Sequence, residues 1–227
     1  MKIIPVLDLM GGVVVRAAGG RRDDYRPLVS PLAPSPAPED VAAGLLAVHP
    51  FPTIYVADLD AILGRGDNLR AAEALCARFP QIEFWLDSGA KASQRARWRT
   101  VVGSESLAAE APAPDFSRES ETILSLDFRG ADYIGPPELL STPALWPRRV
   151  IAMTLARVGA NAGPDLDVLE AILAKAAGRE IFAAGGLRDA RDLAALARLG
   201  AAGALVASAL HEGRIWMKEP APFNPRG

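Results

Sequence analysis

IIPVLDL (residues 3–9) and TILSLDF (residues 122–128) are two apolar runs that each end on a carboxylate, Asp8 in one and Asp127 in the other. Six further apolar runs accompany them: TIYVADLD (53–60), IEFWLDSG (82–89), TVVGS (100–104), RVIAMTL (149–155), EIFAAGG (180–186) and GALVAS (203–208). Most are continuous rather than alternating, the pattern of parallel strands buried on both faces. Helical periodicity fills the spaces between them, in PEDVAAGLLAVH (38–49), DNLRAAEALCARF (67–79), DLDVLEAILAKAA (165–177) and LRDARDLAALARLG (187–200). The last of these closes on Gly200, a common helix-terminating residue. The helices after the fourth and fifth strands are shorter and weaker in the pattern. Eight strand–helix units in one domain-sized chain predict a (β/α)8 barrel spanning residues 1–227. A doubly wound open sheet is the alternative, because periodicity carries no information about closure.

The chain has 227 residues, a formal net charge of −2 and 50% hydrophobic residues. That is ample apolar material for a single large core. Acidic and basic residues are interspersed, so electrostatics gives no reason to expect nucleic acid or membrane as a partner. The one cysteine, Cys76, rules out an internal disulfide and fits a reducing compartment. No charged start followed by an apolar stretch suggests a leader, and no run approaches a membrane span. The expectation is a cytoplasmic globular domain whose oligomeric state is open.

Residues 10–38 form a long connection after the first strand. VVVR suggests a small hairpin arm, 11–26 reads as a loop over the substrate, and 31–38 reads as a Pro/Ala spacer.

The two halves of the chain echo each other. Beside the Asp8 and Asp127 strands, VVGSESL (101–107) matches LVASAL (205–210), and DSGAKASQRAR (87–97) matches AGGLRDARDLA (184–194). A duplicated half-barrel puts Asp8 and Asp127 on opposite sides of one mouth. There they can act as general acid and base, or cap the next loop. The glycine and serine turns offer backbone N–H groups to phosphate, as loops after the last two barrel strands often do. Those are Gly185, Gly186, Ala207 and Ser208 in the second half, and Gly89, Gly103 and Ser104 in the first. The same glycines could serve tight turns alone. Of Asp58 and Asp60, one is expected in the mouth and the other, Asp60, in a structural cap. Arg16 and Asp58 are candidate substrate contacts, as is Lys91. Lys91 could also form a Schiff base or sit solvated at a helix start. His49 and His211 lack metal-ligand spacing, and Cys76 reads as core packing.

IIPVLDLMGGVVVRAAGGRRDDY, VADLDAILGRGDNL, VVGSESL, LSLDF, AAGGLRD and LVASALHEGRI together resemble the ProFAR isomerase family of histidine biosynthesis over most of the chain. The resemblance implies a (β/α)8 barrel of two half-barrels that binds a bisphosphorylated substrate. It implies an Amadori rearrangement, aminoaldose to aminoketose, without metal or organic cofactor. By position Asp8 matches the family's catalytic base and Asp127 a second active-site carboxylate. Thr154, a candidate catalytic residue, matches the start of the pattern after strand six, but Val158 stands where that pattern has its acid. The first-half Gly-Gly-Gly-x-Arg turn is DSGAK here, with Asp87 in it. The loop after strand five is short, and the strand-eight Gly-Arg-Ala-Leu is ASAL. These departures point to a paralogue acting on a phosphorylated sugar or related metabolite rather than to the histidine-pathway enzyme. Such paralogues suggest one-carbon cofactor synthesis of the methanopterin or methanofuran type. Two other readings stay open: a Schiff-base lyase using Lys91, and a phosphate-ligand binder without catalysis.

Overall fold

The structure, a computed structural model, describes residues 1–89 and 97–215. Eight parallel strands run β1 (Lys2–Met10), β4 (Thr53–Asp58), β5 (Glu83–Asp87), β6 (Arg99–Gly103), β7 (Thr122–Arg129), β9 (Arg149–Thr154), β10 (Glu180–Ala184) and β11 (Gly203–Val206). Each pairs with the next in that order, and β11 pairs back onto β1 through Lys2↔Gly203 to Pro5↔Val206. The sheet is closed, which decides between the barrel and the open sheet. Three short strands stand outside the ring. β2 (Val13–Arg16) folds back on β1, β3 (Arg26–Pro27) pairs with β2, and β8 (Asp132–Ile134) folds back on β7. The hairpin after β7 mirrors the one after β1, so the internal duplication extends to these arms.

Helices α1 (Pro38–Val48), α3 (Leu69–Arg78), α5 (Leu166–Leu173) and α6 (Ala190–Leu199) cover the outside. Shorter helices are α2 (Leu59–Ile62), α4 (Pro137–Ser141) and α7 (Ser208–His211). Local chemistry fixes several ends. Asp165 and Asp189 cap α5 and α6 with their carboxylates, and Gly200 closes α6 at φ 93°. Between β6 and β7 the ring has only a 3-10 turn, Ser104–Ser106, and no α-helix.

The core is two layers. Outward strand residues such as Leu7, Val56 and Leu124 pack under the helices with Leu45, Leu75 and Leu196. Inward residues Ile4, Tyr55, Trp85, Ile123, Ile151, Phe182 and Leu205 fill the barrel. Trp85 and Phe182 meet edge to face at 4.9 Å there. Side chains alternate along a strand with period two, so the inward face continues upward from this plug. On β1 it runs Ile4, Val6, Asp8. On β5 it runs Trp85, Asp87, and on β7 Ile123, Ser125, Asp127. Three carboxylates are therefore carried by parity to the open end of a packed barrel.

Residues 31–38 are not a free spacer. The Pro36 carbonyl accepts from Val14 N–H at 2.8 Å, and Ser35 donates to Asp40 at 2.6 Å. The Leu32 carbonyl lies so close to Gly44 that a Cβ there would stand 1.9 Å from it.

Candidate active site

A cavity of about 380 Å³ opens at the carboxyl ends of the strands. Its walls include Asp8, Asp87, Glu105 and Asp127, together with Tyr25 and Tyr55. Gly185, Gly186, Ala207 and Ser208 line it as well, as the sequence suggested. The loop after β2 crosses the mouth and supplies Gly19, Gly20, Arg21 and Arg22 to the wall.

That loop is fastened on its far side. Gly19 N–H donates to the Val158 carbonyl at 2.8 Å. A Cβ on Gly20 would stand 2.9 Å from the Leu155 carbonyl, and one on Gly159 2.1 Å from that of Ala17. Position 158, where the family pattern has an acid, is thus an apolar wall residue whose backbone holds the loop. Arg22 reaches from the loop to form an ion pair with Glu105.

The three aspartates differ in their surroundings. Asp8 is nine-tenths buried, and no hydrogen-bond donor reaches its carboxylate among the described residues. Burial pushes its pKa up to about 7, with Arg22 pulling the other way. Asp87 accepts from Gly89 N–H at 3.1 Å and from Tyr55 Oη at 3.0 Å, and burial lifts it to about 6. Asp127 accepts from Ser125 Oγ at 2.6 Å and Glu105 N–H at 3.0 Å. Burial nevertheless raises it to about 8, and the Asp87 and Glu105 charges add to the rise. Asp87 and Asp127 converge above Gly103, where a Cβ would stand 3.6 and 3.0 Å from their Oδ2 atoms.

Gly89, Gly103 and Ser104, predicted to form a first-half phosphate turn, are not brought to the cavity wall. Gly89 N–H is taken by Asp87. The Ser104 hydroxyl donates to the Ile134 carbonyl at 2.6 Å and accepts from Asp127 N–H at 2.9 Å. Among the described residues, Asp87 and Asp127 thus take the Gly89 and Glu105 N–H groups.

Other expectations also change, and strand parity explains why. Asp58 follows the inward Ala57, so it points out of the barrel and does not reach the mouth. It caps α2 through Ala61 N–H and binds Asn68 through N–H at 2.6 Å and Nδ2 at 2.7 Å. Asp60 is structural as expected, accepting from Gly11 N–H at 2.7 Å and from Asn68 Nδ2 at 2.9 Å. Thr154 follows the inward Met153 and is buried off the wall, while Met153 and Leu155 line it. Arg16 also lies outside this cavity and pairs with Glu212 on the rim. His211 bonds Ser30 at 3.0 Å, and burial lowers its pKa to about 4, so it stays neutral. Lys91 lies outside the described residues.

Sequence reading missed Arg22, Tyr55 and Glu105. Tyr55 carried a signal, since it shares the inward parity of Ala57. Arg22 and Glu105 belong to turns with no period to read.

The family described as histidine biosynthesis protein matches residues 144–216. An uncharacterized protein of Methanocaldococcus jannaschii is 28% identical over 235 residues, 96% of this chain and 97% of its own. The 1-(5-phosphoribosyl)-5-((5-phosphoribosylamino)methylideneamino)imidazole-4-carboxamide isomerase of Thermus thermophilus is 29% identical over 245 residues, 96% of this chain and 98% of its own. The same-named enzyme of Flavobacterium johnsoniae is 39% identical over 70 residues, 31% of this chain and 29% of its own.

Proposed function

Because this chain is a divergent relative of the ProFAR isomerases, we propose that it is a barrel enzyme performing an isomerase-type proton transfer on a phosphorylated sugar or related metabolite. The observation that carries this reading is that Asp8 and Asp127, on strands across the barrel from each other, both line one cavity, each with its pKa raised by burial. Two carboxyl groups raised toward neutral pH can divide the roles of base and acid between them. Asp8, as carboxylate, removes the proton from the carbon beside the carbonyl or imine. Asp127, which keeps its proton near neutral pH, delivers it to the sugar's ring oxygen as the bond from C1 to that oxygen opens, the oxygen staying on the chain as a hydroxyl, and the enaminol left after Asp8 takes the C2 proton tautomerises to the ketone. One proton is taken and one given, so Asp127 does the work for which Val158 is unsuited. The Gly185–Gly186 and Ala207–Ser208 turns hold the phosphate through backbone N–H groups.

Both glycines are also demanded by packing. A Cβ at Gly185 would stand 2.5 Å from the Thr154 carbonyl, and one at Gly186 2.4 Å from that of Gly163. Phosphate holding is therefore a use of turns that the fold already requires. The metabolic setting we propose, cytoplasmic one-carbon cofactor synthesis, is drawn from the family resemblance alone. Profiling of pterin and furan cofactors in a deletion strain tests it.

The decisive experiment screens phosphorylated aldoses and aminoaldoses by thermal shift, then assays turnover of the stabilising ligands by wild type and Asp8→Asn. Loss of proton transfer costs about 10²–10⁴-fold in rate while binding persists. Equal turnover by the two proteins refutes the assignment. A second reading, binding without catalysis, is favoured by Val158 and the loop fastened over it. Stabilisation without turnover across the panel would select it.

A further inference from the structure

We infer that the Arg22–Glu105 ion pair is a latch that holds residues Arg21–Asp24 shut across the mouth of the cavity, and that its opening admits the ligand. The inference concerns access to the cavity and stands apart from the reaction carried out inside it.

The loop between β2 and β3 is a flap whose two ends lie side by side, because Val15 pairs with Pro27 and Arg16 with Arg26. Its first part is held down by backbone. Gly19 N–H donates to the Val158 carbonyl, and Gly20 approaches the Leu155 carbonyl too closely for a Cβ. Its last residue, Tyr25, is buried with the inward residues of the barrel. Arg21–Asp24 span the gap between these two fixed points. Arg21, Asp23 and Asp24 are exposed, whereas Arg22 is partly buried. The Arg22 guanidinium pairs with the Glu105 carboxylate on the turn after β6, the two side chains being 21% and 18% exposed. The flap springs from the β1 hairpin, and β6 stands three strands further round the ring. The pair therefore spans the mouth rather than following its rim, and both partners line the cavity.

The other ties on this segment are weak or internal. Arg65 approaches Asp23 at 3.8 Å with side chains 62% and 92% exposed, a pair that contributes little. Arg21 pairs with Asp24 within the segment and fastens it to nothing beyond. Among the described residues, the Arg22–Glu105 pair is thus the tie that carries the segment across the mouth. A charge-assisted bond at this exposure favours the shut state yet breaks readily, as a gate over a binding cavity must.

Two readouts test the latch without a substrate. The first is amide hydrogen exchange of the full chain by NMR, in wild type, Arg22→Gln and Glu105→Gln. Glu105→Gln keeps the backbone N–H that binds Asp127. The Asp24 and Tyr25 amides donate to the Arg21 and Arg22 carbonyls and report on the segment. They should exchange about 3–10-fold faster in both variants, the worth of one partly exposed charge-assisted bond. The Gly19 amide should keep its wild-type rate. The second readout is capture of a cysteine on the cavity wall, Met153→Cys in a Cys76→Ala background, by the neutral disulfide dithiodipyridine. Ala57→Cys, on the same cavity wall, replaces it should Met153→Cys fail to fold by circular dichroism. Capture should also be faster with either partner of the pair removed.

The two variants separate a latch from a field effect. Removing a positive and removing a negative charge shift the thiolate population in opposite directions. The product of the two rate changes cancels that effect and leaves the latch. A product near one overturns the inference, whether both rates are unchanged or one rises as the other falls. Gly19 exchange accelerated as much as Asp24 shows that the whole loop lifts, and overturns it too. Faster Asp24 and Tyr25 exchange with unchanged capture shows that the segment does not govern entry, and overturns the gate.

Discussion

Replacing Asp8 by Asn should stabilise the protein at pH 8 and leave it unchanged near pH 4. In the folded state burial raises the Asp8 pKa from 3.8 to about 7. Below about pH 4 the group is protonated in folded and unfolded chains alike and costs nothing. Between about pH 4 and pH 7 the unfolded chain releases a proton that the folded chain keeps. Stability therefore falls as pH rises through that window, and the loss is complete and constant above it. Three pH units at 1.36 kcal/mol each give about 4 kcal/mol as an upper figure. Asp8 lies at the mouth of an open cavity, where solvent screening reduces that figure, and about 2 kcal/mol remains. For a chain of this size that is about 4–8 °C in Tm. Differential scanning calorimetry of both proteins at pH 4, 6 and 8 reads it directly. A Tm difference that is equal at pH 4 and pH 8, or negative at pH 8, refutes the claim that a buried ionised carboxylate is held at this position.

Once a substrate is in hand, kcat should be bell-shaped in pH, rising as Asp8 ionises near 7 and falling as Asp127 ionises near 8. A profile flat across that range would show that neither group transfers the proton. Val158→Asp should fold, since the Val158 carbonyl rather than its side chain holds Gly19. It should not convert ProFAR, because Asp87 and Asp127 put negative charge at the first-half end of the cavity, where a second phosphate would have to sit; a spectrophotometric assay at saturating substrate checks this. Gly186→Ala, at φ 80° with its Cβ 2.4 Å from the Gly163 carbonyl, should cost about 2–4 kcal/mol by urea denaturation, from strain and clash together. Gly130→Ala, at φ 66° with nothing within 4 Å, should cost about 1 kcal/mol.

All eight barrel strands were legible because most are continuous apolar runs, and the duplicated halves placed Asp8 and Asp127 across one mouth. Closure was not legible, since it depends on the pairing of Lys2 with Gly203 across the whole chain. The errors at Asp58, Ser104 and Thr154 share one cause. Each sits at a strand end, the position that suggests a site, but its face is set by the residue before it, which points inward. Counting parity from Tyr55, Val101 and Ile151 would have excluded all three. Arg16 failed differently, because its partner Glu212 lies 196 positions away and no local pattern announces it.

The two halves differ in the charge they bring to the cavity wall. In the second half, the Gly185–Gly186 turn leaves its wall without a carboxylate. In the first half, the equivalent turn begins at Asp87, whose own oxygen binds Gly89 N–H. Asp87 also faces Asp127 above Gly103, and its charge contributes to holding Asp127 protonated. Asp87→Asn should therefore lower the Asp127 pKa, shifting the alkaline limb of the rate profile toward neutrality.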